Sequence, residues 1–161
     1  MAERRLSALE AGQQIIELKH RYWRACDGKD PDGIRACFVP DATIDLGPLG
    51  TIDGVEGLIT IYSAIALRRG DDGSYRVLDM HHGMHPEIEL TSDVEARGRW
   101  SLRFRQLDLD ARTERVGAIE YDDRYRRVDG AWRIAASRAH ELWALVRPLP
   151  EDATITETID E

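Results

Sequence analysis

Asp27 stands where folding alone would not put it. It closes the helix-like run "KHRYWRACD", directly before Gly28. The carbonyl end of a helix carries a partial negative charge, so a carboxylate there is disfavoured. Either "CDG" is a solvated helix exit and nearby Tyr22 an ordinary core residue, or the acid serves chemistry. A second group of reactive side chains lies in "MHHGMH", which holds His81, His82 and His85. Imidazoles four apart would share a helix face as zinc ligands do. This segment alternates like a strand, however, and His82 stands where a zincin motif has its glutamate, so no metal is expected. In an unbroken strand His81 opposes Met84, Ile88 and Leu90 in parity and faces the charged side, leaving His82 inward. Gly83 and Pro86 interrupt the run, and a one-residue bulge there reverses the phase and turns His81 inward. His81 is the first choice and His82 the reserve.

The elements that must position these residues fall into two halves. From Leu6 to Cys26 the apolar positions Leu9, Ile15, Leu18, Tyr22 and Cys26 recur at helical spacing, with Gly28 as the left-handed stop. Pro31 suits the first position of a second helix in "PDGIRACF", "DATIDLG" reads as a strand, and "GVEGLITIYSAIALRR" as a third helix. The second half is strands. In "VEARGRWSLRF" Val94, Ala96, Trp100, Leu102 and Phe104 share one parity, while Glu95, Arg97, Arg99, Arg103 and Arg105 share the other. A three-residue loop, Thr91 to Asp93, would set Leu90 opposite Val94 and Ile88 opposite Ala96 in an antiparallel hairpin. Asp129 and Gly130 mark a second hairpin. Trp132, Ile134, Arg138 and His140 share a parity, which makes Arg138 and His140 candidates for a cavity mouth or for ion pairs. The class is α+β, helices on one face of a curved antiparallel sheet. Residues 1–146 read as a single domain and 147–161 as an acidic arm lying on the surface or partly disordered.

Composition narrows the partners. At 161 residues the chain suits one core, and its formal net charge of −8 would repel nucleic acid. No apolar run approaches the roughly 20 residues of a membrane span, and "MAERRLSALE" lacks the apolar stretch of a signal peptide, so the default expectation is cytoplasmic. Cys26 and Cys37 have no metal or redox spacing and read as free, packed thiols.

"RYWRACDGKD", "MHHGMHPEIEL" with "EARGRW", and "DRYRRVDGAWRI" together resemble the SnoaL-like branch of the NTF2-like (cystatin-like) cone fold, over roughly residues 10 to 145. Within that fold the sequence is similar to the dehydratases acting on scytalone and on bile acids. The resemblance implies an apolar cavity between helices and sheet, with Tyr22, Asp27 and His81 as catalytic residues and Leu46, Tyr62, His82, Met84, Trp100, Phe104 and His140 around the substrate. It also shows two departures: Leu46 replaces a second tyrosine, and Phe104 replaces an acid.

Such a set suits elimination of water beside a carbonyl. Tyr22 would hydrogen-bond the developing enolate oxygen, Asp27 would orient His81 and stabilise its cation, and His81 would take the carbon acid's proton and return it to the departing hydroxyl. No metal or organic cofactor is required. The expected activity is a dehydratase or hydratase acting on a small hydrophobic, polycyclic hydroxy-carbonyl compound such as a steroid or polyketide. Alternatives are a double-bond isomerase, or a non-catalytic binding or assembly module of the same fold. A homodimer through the open sheet face is expected, with a trimer as its variant; neither nucleic acid nor membrane is expected as a partner.

Overall fold

The computed structural model describes residues 2–159, apart from the side chains of residues 2–4 and Pro48. Three helices, α1 (Ala2–Asp27), α2 (Pro31–Cys37) and α3 (Val55–Ala66), accompany six strands: β1 (Phe38–Asp45), β2 (Thr51–Asp53), β3 (Val77–Leu90), β4 (Glu95–Asp108), β5 (Thr113–Val128) and β6 (Ala131–Pro148). The strands form one sheet in the order β2-β1-β6-β5-β4-β3. Every neighbouring pair is antiparallel except β1 and β6, which run parallel. The sheet is therefore mixed, where hairpin patterns alone led to an antiparallel one. Three reversals carry the chain from β3 at the far edge to β6, which arrives beside β1 in the same direction.

Local chemistry accounts for the boundaries. Asp30 caps α2 by accepting the Gly33 N–H at 2.8 Å, with Pro31 next in line at the helix start. Asp129 and Gly130, at φ 51° and 81°, form the two-residue turn between Val128 and Ala131. The β3–β4 hairpin differs from expectation: Leu90 pairs with Ala96 and Ile88 with Gly98, so Val94 belongs to the loop. The N–H groups of Thr91 and Ser92 both donate to the Glu95 carbonyl, at 2.9 and 3.1 Å, and widen the turn. The register moves by two residues, so each side chain keeps its face.

The core lies between the helices and one sheet face. Ile15, Leu18 and Trp23 of α1 meet Trp100 and Leu102 of β4, Tyr121 and Tyr125 of β5, and Ile134 of β6. Trp23 stands edge-on to Trp100 with ring centroids 5.3 Å apart. The apolar stripe starts only at Ile15; Leu6 and Leu9 are exposed. Gly83 of β3 is a site of close approach, because a Cβ there would come within 1.8 Å of the Trp23 ring. Cys26 and Cys37 are free and buried.

A charge pair sits inside this apolar layer. Lys19 Nζ lies 2.7 Å from Asp123 Oδ2, with neither side chain exposed. The ammonium also faces the Tyr121 ring at 4.0 Å. Asp123 also accepts the hydroxyls of Tyr125 and Ser137, each at 2.7 Å. Burial pulls the Lys19 ammonium below its ordinary pKa, and the Asp123 charge works against that.

Two stability measurements follow. Asp123→Ala leaves a buried ammonium without its counter-charge and is expected to cost about 3–5 kcal/mol in urea unfolding. Adding Lys19→Met to that variant should recover most of the loss; a loss under 1 kcal/mol in the single variant contradicts a buried charge pair. Gly83→Ala must displace Trp23 and is expected to cost about 1–3 kcal/mol, read by the same unfolding curves. An unchanged midpoint would rule out the close contact.

Candidate active site

The last turns of α1 lie along β3. Four helical residues advance about 6 Å and two strand residues about 6.6 Å. Side chains four apart on the helix therefore meet side chains two apart on the strand. Trp23 covers Gly83, and Asp27 reaches His81. The ladder continues past the helix end, where Lys29 Nζ meets Asp79 Oδ2 at 2.8 Å.

Asp27 holds His81 at two points. Asp27 Oδ1 is 2.5 Å from His81 Nδ1, and Asp27 Oδ2 accepts the His81 backbone N–H at 3.1 Å. A carboxylate only accepts, so Nδ1 carries the proton of this contact, and in the neutral imidazole Nε2 keeps its lone pair. The two side chains are 21% and 13% exposed, enough to meet a ligand and shielded enough to strengthen their attraction. The Phe104 ring stands 4.9 Å from the imidazole and forms an apolar wall.

A bulge sets the phase of His81. Met84 pairs with Ser101 but Glu87 pairs with Arg99, so β3 holds one extra residue at His85 and Pro86. His85 has φ 53°, the left-handed conformation a bulge can require. His81 consequently faces the helices, opposite Phe104, while His82 and Met84 lie opposite Arg103 and Ser101 on the other face, exposed. His82 and Met84 are thereby removed from the substrate-lining set.

His140 leaves that set for the same physical reason. Tyr125 pairs with Ile134 but Arg124 with Ala136, so Ala135 is a second bulge, and Arg138 and His140 emerge opposite Asp122 and Glu120 on the open face. Trp100 is also reassigned. It is only 2% exposed and donates its indole N–H to the Tyr125 hydroxyl at 2.9 Å, which makes it a core residue. Leu46, Tyr62 and Phe104 are half-buried against the edge of the core.

Tyr22 is five residues from Asp27, about 140° around the helix, and is buried in the core. Its ring stands edge-on to Phe38 at 5.1 Å. Burial pushes its phenol well above the ordinary pKa, so it remains a proton donor. Tyr62 donates to the Cys26 carbonyl at 2.8 Å and ties α3 to the end of α1. Lys29, Asp79 and Gln106 were absent from the sequence-based set. The available signal was symmetry: Lys29 follows Asp27 by two residues as Asp79 precedes His81 by two.

Among the described residues no three His, Cys, Asp or Glu side chains gather as metal ligands, and no helix is long and apolar enough to cross a membrane. A hollow of about 890 Å³ is on the opposite sheet face and is lined by charged residues including Arg97, Arg99, Glu87 and Asp122. The layer behind His81 is packed by Trp23, Trp100 and Tyr121. The Asp27–His81 pair therefore stands at the edge of a filled core rather than at the bottom of that hollow.

The chain is similar in structure to the hexachlorocyclohexane dehydrochlorinase LinA-type3 of Novosphingobium barchaimii, at 18% identity and a TM-score of 0.77, covering 94% of this chain and 98% of that one. It is likewise similar to a putative scytalone dehydratase from Novosphingobium aromaticivorans, at 19% identity and a TM-score of 0.77, over 96% and 100% of the two chains. A protein of unknown function with a cystatin-like fold from Nostoc punctiforme matches at 18% identity and a TM-score of 0.59, over 80% and 89%. These likenesses establish the NTF2-like (cystatin-like) architecture. The family model described as a SnoaL-like domain matches residues 7–138, so the chain belongs to the SnoaL-like family.

Proposed function

We propose that this protein abstracts a proton beside an electron-withdrawing group of a small hydrophobic molecule and expels a leaving group from the adjacent carbon. The observation that carries this reading is the two-point contact of Asp27 with His81, which leaves Nε2 available as a base. Loss of water from a polycyclic hydroxy-carbonyl compound is the reaction favoured here; migration of a double bond would use the same base. Asp27 stabilises the imidazolium formed when His81 takes the proton. Tyr22 is the proposed donor to the substrate oxygen: burial keeps its phenol protonated, so it has a proton to donate.

The second reading is a non-catalytic binding module. The observation favouring it is that Phe104 and Leu46, which bring no proton donor, stand beside the pair and at the edge of the core. Turnover of scytalone, of hydroxylated steroid ketones and of hexachlorocyclohexane separates the readings. Binding without turnover of any of them would favour the module.

Asp27→Asn gives the sharper comparison. It keeps shape but removes the charge opposite the imidazolium, so turnover should fall about 100-fold or more with ligand affinity little changed. If Asp27 merely ends a helix, the same change should raise stability by about 0.3–1 kcal/mol and leave turnover intact. Thermal unfolding and kinetics on both proteins distinguish these outcomes.

Two copies are proposed to associate through the open sheet face. Trp143 and Leu145 lie there, 56% and 54% exposed, opposite Ala118 and Val116. On the same face Arg99 sits 3.6 Å from Glu87 and 3.5 Å from Asp122, so part of the arginine row is already neutralised within the subunit. Sedimentation at micromolar concentration should give a dimer that Trp143→Asp dissociates. A wild-type monomer would leave this face solvated.

A further inference from the structure

We infer that Lys29, Asp79 and Gln106 form a clamp that holds Asp27 against His81; the inference rests on the reading of that pair as a base and its partner. Lys29 has φ 59°, the left-handed conformation that glycine adopts at least cost. Its N–H meets the Cys26 carbonyl at 3.4 Å and the Asp30 N–H meets the Ala25 carbonyl at 2.9 Å, the hydrogen-bond pattern of a helix stop centred on residue 29. Gly28 is one residue too early to supply that conformation. Its own constraint is space, since a Cβ there would come within 3.1 Å of the Arg24 carbonyl oxygen. The strained position thus keeps a lysine although glycine would end the helix more easily.

The side chain at residue 29 explains this. The Lys29 side chain is 0% exposed, and its ammonium lies 2.8 Å from Asp79 Oδ2. A lysine is almost never buried so completely unless it is paired. The other Asp79 oxygen accepts from Gln106 Nε2 at 2.9 Å, so the carboxylate is fixed from two elements. Lys29–Asp79 is the rung next to Asp27–His81 on the same ladder. A slip that parts Asp27 from His81 must also break a buried ion pair, and that coupling gives the exposed end of α1 its precision.

The clamp also assigns charges. His81 engages Asp27, while Lys29 and Gln106 engage Asp79. Lys29 engages Asp79 and leaves the Asp27 charge to the imidazole. From the other elements, Tyr62 of α3 is committed to the Cys26 carbonyl, β4 contributes the uncharged Phe104 and Gln106, and Arg115 of β5 is paired with Glu141 of β6. Without Lys29 or Asp79 the rung next to Asp27–His81 loses its ion pair, and the end of α1 loses that anchor on β3. Lys29, Asp79 and Gln106 are positioning residues, acting through Asp27.

The test uses the ligand-free protein with 15N-labelled histidine. The short His81 Nδ1–H contact should give a ring-proton resonance far downfield, absent in Asp27→Asn. Asp79→Asn and Lys29→Gly are expected to lose that resonance while remaining folded by circular dichroism. Lys29→Gly is decisive, because it relieves the backbone: a residue that only ended the helix would give a more stable protein with the resonance intact, and that result overturns the clamp. Should Asp79→Asn not fold, Gln106→Leu removes one of its two anchors and should weaken the same signal. A wild type without the resonance also overturns the proposal.

Kinetics supply an independent reading with 5-nitrobenzisoxazole. A base takes its C3 proton, the C–H pair becomes the third bond of a nitrile, and the N–O bond breaks to a phenolate. The clamp variants should lose about tenfold or more in kcat with KM nearly unchanged. Unchanged kcat in all three overturns the clamp. A wild type that shows the resonance and its loss in the variants, yet does not turn over the probe, supports the clamp and counts against the elimination reading alone.

Discussion

The architecture depends on a match of rises. A helix advancing about 1.5 Å per residue and a strand advancing about 3.3 Å bring side chains into step when four helical residues meet two of the strand. In this protein the match runs along α1 and β3 and is anchored by Trp23 on Gly83. Any side chain at residue 83 would push the helix away and lift the following rungs with it. Asp27–His81 and Lys29–Asp79 are set by packing one turn away.

The same ladder explains how a carboxylate survives at the negative end of a helix. Asp27 accepts two N–H groups from His81, and a buried ammonium follows two residues later. A cation near the last carbonyls is favourable, so Lys29 offsets at the helix end what Asp27 costs there. The deeper pair, Lys19–Asp123, ties α1 to β5 and fixes the rotation of the helix about its axis. One pair sets rotation and the other sets advance along the strand.

Much of this was legible in the residues because alternation and helical spacing are local. The helix over residues 6–26, the Asp129–Gly130 turn and the polar face of β4 need only a few neighbours to be read. The parallel β1–β6 pair was not legible, since it depends on where a distant crossover returns. Faces were legible across a bulge only where the sequence advertised it. Gly83 and Pro86 advertise the first one, and they place His81 and not His82 on the helix side; nothing in "RIAASRAH" marks Ala135, so the shared parity of Arg138 and His140 with Ile134 misled about their face, while Arg138 does make the ion pair expected as its other role, 3.4 Å from Asp45. Proline and left-handed residues betray a bulge, whereas an alanine bulge leaves no trace in composition. The clamp was missed because a lysine and an aspartate fifty residues apart look like two solvated charges until the helix end is laid on the strand.

If His81 is the base of the proposed elimination, its surroundings restrict the kinds it can serve. Phe104 forms an apolar wall at 4.9 Å and has no proton to give, and Asp27 is committed to Nδ1 and to the backbone N–H. Under the proposed reaction a hydroxyl leaving group would take back the proton held at Nε2, which would bring both departing groups to the imidazole face of the substrate and make the elimination syn. A leaving group stable as an anion needs no returned proton, and that restriction disappears. In that proposal the pair would fix where the proton goes, and the leaving group and the apolar wall would fix the stereochemistry. Leu46, Tyr62 and Phe104 lie outside the ladder of ion pairs, so substrate choice assigned to them could change without disturbing it.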